Sequence, residues 1–331
     1  MKEILNRLFE HQTLSKAEAT DILKNLALGQ YNAAQIASFL TVYMMRNITV
    51  EELEGFREAM LSLCVATDLS AYSPMDVCGT GGDGKNTFNI STLSAFVVAA
   101  SGVKVAKHGN HGVSSVSGSS TVLEYFGVQF SAAKEDLERS LEATNLCFLH
   151  APLFHPAMKN VGPIRRDLGV KTFFNMLGPM VNPAFPAIQL VGVFSLELAR
   201  LYNYLYQRNP AQYLIVHALD GYDEVSLTGE VKIFGKTREE ILQPADFGLP
   251  LLHPEEIQGG NTVTTSARVF EAILRGEGTP SQQAAVAANA GLAIHCAQPE
   301  MGLMDCVALA HENLASGKAL ATFEKFLAYN Q

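Results

Sequence analysis

The segment Asp76-Val-Cys-Gly-Thr-Gly-Gly-Asp-Gly-Lys-Asn-Thr-Phe-Asn-Ile-Ser-Thr92 sets glycines at 79, 81 and 82 between a short apolar run and a helical stretch. Without side chains the backbone can approach a ligand closely. Successive N–H groups can then point at an anion, and a helix beginning near Ser91 adds its dipole. Thr80, Thr87, Asn89, Ser91 and Thr92 supply further hydrogen-bonding groups. The segment is neither GxxxxGK[ST] nor GxGxxG, and alone it reads equally as a tight structural turn. A second stretch, Lys107-His-Gly-Asn-His-Gly-Val-Ser-Ser-Val-Ser-Gly-Ser119, follows a strand-like run. Lys107 offers a cation at a strand end, where α/β proteins place ligands. Its glycines and serines form a donor-rich loop that alone would pass for a solvated one. Two such loops after consecutive strands favour a phosphate or diphosphate.

Two further stretches carry charge. In Gly162 to Pro183, Arg165 and Arg166 suit a carboxylate, or are plain surface charges. Phe173, Phe174, Met176 and Leu177 read as core, and Gly178-Pro179 and Asn182-Pro183 as helix stops. In Asp220-Gly-Tyr-Asp-Glu224, adjacent carboxylates follow a strand. Hard oxygen ligands there suit Mg²⁺ bound jointly with a phosphate-bearing substrate; a solvated acidic turn is the plainer alternative.

The elements that must position these groups fall into two kinds. The first seventy residues read as helix, with capping boxes at Ser15–Glu18 and Thr49–Glu52. Asp68 to Pro74 is rich in turn residues and reads as a hinge. Then β-prone runs (Met75 to Cys78, Val103 to Lys107, Ala187 to Phe194, Tyr213 to Ala218) alternate with helical stretches. Val225 to Phe234 reads as a hairpin around Gly229, and Ser281 to His295 as a buried helix. The expected fold is α/β: a small N-terminal all-helical domain plus a larger α/β domain with a mostly parallel central sheet flanked by helices.

The 331 residues suggest about two domains at roughly 150 residues each. Apolar residues are 48% and charged residues 17%, which excludes disorder. A formal charge of −9 argues against a general nucleic-acid binder. Five cysteines with no CxxC pair predict a reduced, cytoplasmic protein without structural zinc. No segment is apolar for long enough to span a membrane, and residues 1–10 form an amphipathic helix, not a signal peptide. Ile36, Phe39, Leu40, Tyr43 and Met44 exceed what one small helical layer needs, which predicts self-association.

In order and spacing the four stretches resemble the anthranilate phosphoribosyltransferase family of tryptophan biosynthesis. That family's pattern runs from D-x-x-GTGGD to N-x-S-T, then KHGN-x-x-VSS-x-x-GS, then R-x-x-x-G-x-x-T-x-F-N-x-L-GP-x-x-NP, then a DE pair. Here these are Asp76, Gly79 to Asp83, Asn89 to Thr92, Lys107 to Asn110, Val113 to Ser115, Ser119, Arg165, Phe174 to Pro179, Asn182-Pro183 and Asp223-Glu224. The resemblance spans the whole chain. It implies a helical domain over 1–72, with 162–183 packing back on it, and a phosphoribosyl-binding domain over 73–161 and 184–331. Arg165 would then face the phosphate loops across a cleft.

The implied reaction transfers the phosphoribosyl group of phosphoribosyl pyrophosphate (PRPP) to the amine of anthranilate, releasing pyrophosphate. The resemblance assigns PRPP to Gly79, Gly82, Asp83, Thr87, Asn89, Ile90, Ser91, Thr92, Lys107, Ser115 and Ser119. It assigns anthranilate to Gly79, Asn110 and Arg165, with His108, His155 and Gly178 lining its approach. It assigns Mg²⁺ to Ser91, Asp223 and Glu224, and it implies a homodimer through the helical domain. No general base is assigned, since anthranilate brings its own nucleophile. His11, His217 and His295 read as structural or surface. Two positions depart from the family: His111, where arginine is common, and Met158, where an aromatic is frequent. Both predict altered affinity, not a different reaction. Rival readings are a pyrimidine nucleoside phosphorylase-like enzyme and a non-catalytic nucleic-acid-binding relative of the same fold.

Overall fold

The computed structural model describes residues 1–112 and 118–331. Met1–Thr67 with Ala151–Pro183 forms one unit; Asp68–His150 with Ala184–Gln331 forms the other.

The first unit opens with helices Lys2–Phe9, Lys16–Ala27, Ala33–Met45 and Val50–Leu63. Ser15–Glu18 and Thr49–Glu52 form reciprocal capping boxes as the spacing predicts, and Asn32 with Gln35 forms another. Phe39, Tyr43, Phe56 and Phe173 pack as one aromatic cluster, with Phe56 and Phe173 stacked at 4.4 Å. This corrects the argument from surplus apolar faces. Ile36, Phe39, Leu40 and Tyr43 are buried within the chain's own unit; only Met44 of that set is exposed, beside Met45. Residues 151–183 contribute the short helices Ala151–Phe154, Gly162–Leu168 and Phe174–Leu177.

Among the described residues the second unit holds a seven-stranded sheet: β1 (Met75–Gly79), β2 (Val105–Gly109), β3 (Leu146–His150), β4 (Ile188–Gly192), β5 (Gln212–Ala218), β6 (Val231–Gly235) and β7 (Glu239–Leu242). The order is β3-β2-β1-β4-β5-β6-β7, parallel through β5 and antiparallel for β6 and β7. β3 was not expected. All five of its residues are buried, and so short a run shows no alternation. β7, charged and only partly buried, is an edge strand with no strand-like composition. The hairpin expected over 225–234 is absent. Residues 231–235 pair with β5 instead, and 219–230 carry no regular structure. The core of this unit centres on the helices Ile90–Ala100 and Pro280–Ala297, the latter buried along most of its length. No described helix is long and apolar enough to cross a membrane.

Candidate active site

β1 and β4 are neighbours in the sheet, yet β2 and β3 come between them in sequence. The chain therefore runs from β1 toward β2 and from β4 toward β5, in opposite directions, and the carboxyl ends of two such strands border a crevice. A cavity lies there, lined by Gly79, Ser91, Gly192, Asp223, Glu224 and Asn289, together with Val77, Cys78, Leu190 and Val216.

The glycines at these strand ends have a steric cause. A Cβ on Gly79 would fall 2.5 Å from Asp223 Oδ2, and one on Gly192 only 1.6 Å from the Asp223 carbonyl oxygen. Both strand ends must be bare for the 219–230 loop to lay Asp223 across them. Beyond Gly79, Gly81 and Gly82 take φ of 62° and 76°, the left-handed region that favours glycine. The Gly81 N–H donates to Asp223 Oδ2 at 2.6 Å. Asn289 clamps the same loop: its Oδ1 accepts the Val225 N–H at 2.9 Å and its Nδ2 donates to the Val225 carbonyl at 2.8 Å. Those two bonds also occupy the groups that a hairpin at 225 would need. Sequence reading missed both Gly192 and Asn289. A single polar residue within the otherwise apolar, Ala-rich run 284–294 was the available signal for Asn289.

Ser91 lies in the first turn of the helix Ile90–Ala100, and Asn89 is its N-cap. The Ser91 N–H donates to Glu224 Oε1 at 3.0 Å, and the Thr87 hydroxyl lies 3.4 Å from Glu224 Oε2. Lys107 is buried within β2; its ammonium donates to the Val77 carbonyl and, at 3.3 Å, to Ser91 Oγ. Asp76, fully buried, accepts the His108 N–H at 3.1 Å. Burial pulls the Lys107 ammonium below its ordinary pKa.

Three acids share this place. Burial pushes the Asp223 carboxyl up, and repulsion from Asp83 adds to it. Removal from water and the neighbouring Asp223 and Asp83 push Glu224 up as well. Asp83 Oδ1 accepts the Lys85 N–H at 3.1 Å, while its Oδ2 is buried without a hydrogen-bond partner. A crowded, oxygen-only, negatively charged donor set with unspent acceptor capacity fits a divalent hard cation such as Mg²⁺. Asp83, which sequence reading gave to PRPP alone, belongs electrostatically with Asp223 and Glu224.

The remaining candidates have the following local settings. The Ile90 side chain is core, and its N–H goes to the Phe88 carbonyl at 2.6 Å, so it presents no free donor to a ligand. Thr92 is 2% exposed. Gly82 follows Gly81 in the loop, and Ser119 opens the helix Ser119–Tyr125 with its hydroxyl on the Asn110 carbonyl. Asn110 is exposed and His108 buried. Ser115 lies outside the described residues. Arg165, His155 and Gly178 belong to the helical unit. Arg165 is half-buried, 5.1 Å from the Phe174 ring centroid, and donates to Asn175 Oδ1 at 3.3 Å. Burial lowers its pKa, but a guanidinium stays cationic. His155 is buried with Nε2 2.9 Å from the Val181 carbonyl; Gly178 is exposed and Met158 half-buried.

Residues 71–320 match the family described as glycosyl transferase family, a/b domain, and residues 2–64 the one described as glycosyl transferase family, helical bundle domain. The anthranilate phosphoribosyltransferase of Christiangramia forsetii is 59% identical over 331 residues, covering 100% of each chain. Among solved structures, the anthranilate phosphoribosyltransferase of Thermus thermophilus is 35% identical with a TM-score of 0.90, over 98% of each chain. That of Saccharomyces cerevisiae, solved in complex with PRPP and Mg, is 27% identical with a TM-score of 0.90, over 98% of this chain and 96% of the other.

Proposed function

The chain belongs to the anthranilate phosphoribosyltransferase family, and from that membership we propose that it transfers the phosphoribosyl group of PRPP to the amine of anthranilate, releasing pyrophosphate. One observation carries the reading at the level of chemistry: Asp83, Asp223 and Glu224 meet Ser91 and Lys107 where a left-handed glycine turn leaves β1.

In this reading Asp223, Glu224 and Ser91 hold Mg²⁺, with Asp83 beside them. Bound there, the ion neutralises charge building on the departing pyrophosphate. The Lys107 ammonium acts on the phosphate oxygens by position and charge. The ribosyl carbon gains oxocarbenium character as its bond to pyrophosphate breaks, as glycosides do. Anthranilate's amine forms the new C–N bond and later gives up a proton to solvent. Oriented binding is thus the protein's main contribution. We assign the anthranilate carboxylate to Arg165, whose cation is fixed over Phe174. The phosphorylase-like and nucleic-acid readings are not favoured beside full-length identity of 59% to a named transferase.

The test is loss of anthranilate fluorescence on adding PRPP, with and without Mg²⁺. Loss that requires both PRPP and Mg²⁺ supports the proposal; no loss under any combination overturns it. Arg165→Ala should raise the anthranilate KM and leave that of PRPP almost unchanged. A charge-assisted carboxylate bond is worth about 1.5–3 kcal/mol, or roughly a ten- to hundredfold change in KM. A homodimer is part of this proposal, and sedimentation that finds only monomer at micromolar protein would remove it.

A further inference from the structure

Three side chains outside that site converge from three separate elements. His111 lies in the loop after β2, Glu124 in the helix Ser119–Tyr125, and His150 ends β3. One potential ligand atom from each lies within 4.8 Å of the other two. His111 Nε2 is 2.9 Å from Glu124 Oε2, and the two imidazole rings meet edge to face with centroids 5.0 Å apart. His150 is the fixed member. It is 7% exposed, Phe130 stacks on its ring at 4.4 Å, and Ser120 Oγ lies 2.8 Å from its Nδ1.

A hydrogen bond to one ring nitrogen is what sets tautomer and orientation in metal-bound imidazoles. It leaves Nε2 of His150 as the nitrogen available to an ion.

We propose that His111, Glu124 and His150 form a second cation site, distinct from the Asp223–Glu224 carboxylates, that takes a divalent transition-metal ion of the Zn²⁺ kind. Two imidazoles and one carboxylate suit Zn²⁺, Co²⁺ or Ni²⁺ and discriminate against Mg²⁺, which takes oxygen donors. Zn²⁺–N distances of about 2.0–2.1 Å put tetrahedral ligand atoms roughly 3.4 Å apart. His111 and Glu124 are both nearly half exposed, so their side chains can rotate inward to that spacing while His150 stays in place. Water fills the fourth position, the open arrangement of a three-ligand site. An ion held there also anchors the backbone at His111, whose N–H donates to Asn110 Oδ1 at 2.8 Å.

The test uses the full-length protein saturated with Mg²⁺, so that the carboxylate site is already filled. Titration calorimetry with Zn²⁺ should give one ion per chain at low-micromolar affinity or better. Co²⁺ in its place should give the intense visible absorption of a four-coordinate centre, not the weak spectrum of a six-coordinate oxygen site. His111→Asn changes an exposed residue and should leave the melting temperature unaltered. It should weaken Zn²⁺ by at least the roughly 10–100-fold that loss of an outer-shell partner costs. His150→Ala should abolish binding. No uptake at micromolar Zn²⁺, uptake unchanged in His111→Asn, or a six-coordinate Co²⁺ spectrum would each overturn the proposal.

Discussion

Two clusters of buried acid show opposite solutions to one electrostatic problem. In the helical unit Glu52 is fully buried, yet every lone pair is used. Oε1 accepts from the Leu14 N–H at 3.0 Å and the Tyr43 hydroxyl at 3.1 Å; Oε2 accepts from the Thr49 N–H at 3.0 Å; Arg46 binds both oxygens. Burial alone would raise this carboxyl, but the Arg46 guanidinium and the Thr49 and Leu14 donors outweigh it and leave it below the ordinary range. In the α/β unit Asp223 and Glu224 receive single N–H donors from Gly81 and Ser91, stand beside Asp83, and are pushed up. A buried acid matched to a cation holds a fold together. Buried acids left short of positive charge are poised to bind some, and such perturbed groups cluster at functional sites.

Breaking the matched cluster should have the largest effect. Glu52→Gln leaves the Arg46 guanidinium, 10% exposed, without its counter-ion. Removing one partner of a buried pair costs about 3–5 kcal/mol. Denaturant unfolding should show that loss, with turnover per folded molecule unchanged. A loss under about 1 kcal/mol would mean that water reaches Arg46 and that the contrast is overstated.

The unmatched cluster should answer the other way. Asp223→Asn with Glu224→Gln should reduce Mg²⁺-dependent turnover on the order of 10²–10³-fold, the scale set by losing transition-state charge stabilisation. Without Mg²⁺, the melting temperature of this variant should equal or exceed that of the parent, because mutual repulsion is removed. A marked fall in metal-free stability would place these acids with Glu52 as structural. Gly192→Ala probes the same cluster sterically. Its Cβ would meet the Asp223 backbone, and forcing atoms into so tight a place costs about 1–3 kcal/mol. Turnover should fall as Asp223 is displaced, by less than in the double variant.

These clusters differ in how far sequence betrays them. Thr49-Val-Glu-Glu52 announces a capping box, since its partners are three residues apart. It does not announce that Glu52 also pairs with Arg46, because that pairing depends on how the 47–49 turn folds back. Asp223-Glu224 was legible as a metal candidate by residue type and its place after a strand. Gly192 was not: its need for bareness arises from a loop that returns thirty-odd residues later, and no local pattern encodes it. Parallel strands flanked by helices were visible as alternation. β3 and β7 were too short, and respectively too uniformly buried and too charged, to show a period of two. The clearest misreading, a hairpin at 225–234, failed because Asn289, far along the chain, binds the Val225 backbone.

The smallest effect is also the sharpest test of the contrast, because pH acts on the two clusters with opposite sign. Glu52 has a lowered carboxyl, so its contribution is complete above the ordinary carboxylate pKa of about 4 and is lost as pH falls through its lowered value. Asp223 and Glu224 have raised carboxyls. The folded chain keeps protons there that the unfolded chain has released, so metal-free stability from these groups is present below about pH 4 and is lost as pH rises through their raised values. Mg²⁺ must displace those protons. Each proton released strengthens binding up to about tenfold per pH unit, or about 1.4 kcal/mol. The rise in melting temperature on adding Mg²⁺ should therefore be small near about pH 5 and grow steadily toward about pH 8. In Asp223→Asn with Glu224→Gln the rise should be absent at every pH, whereas in Glu52→Gln it should keep its full pH dependence on a lower baseline. A Mg²⁺ shift that is flat with pH in the parent protein would show that Asp223 and Glu224 are already ionised, and the contrast with Glu52 would then rest on geometry alone.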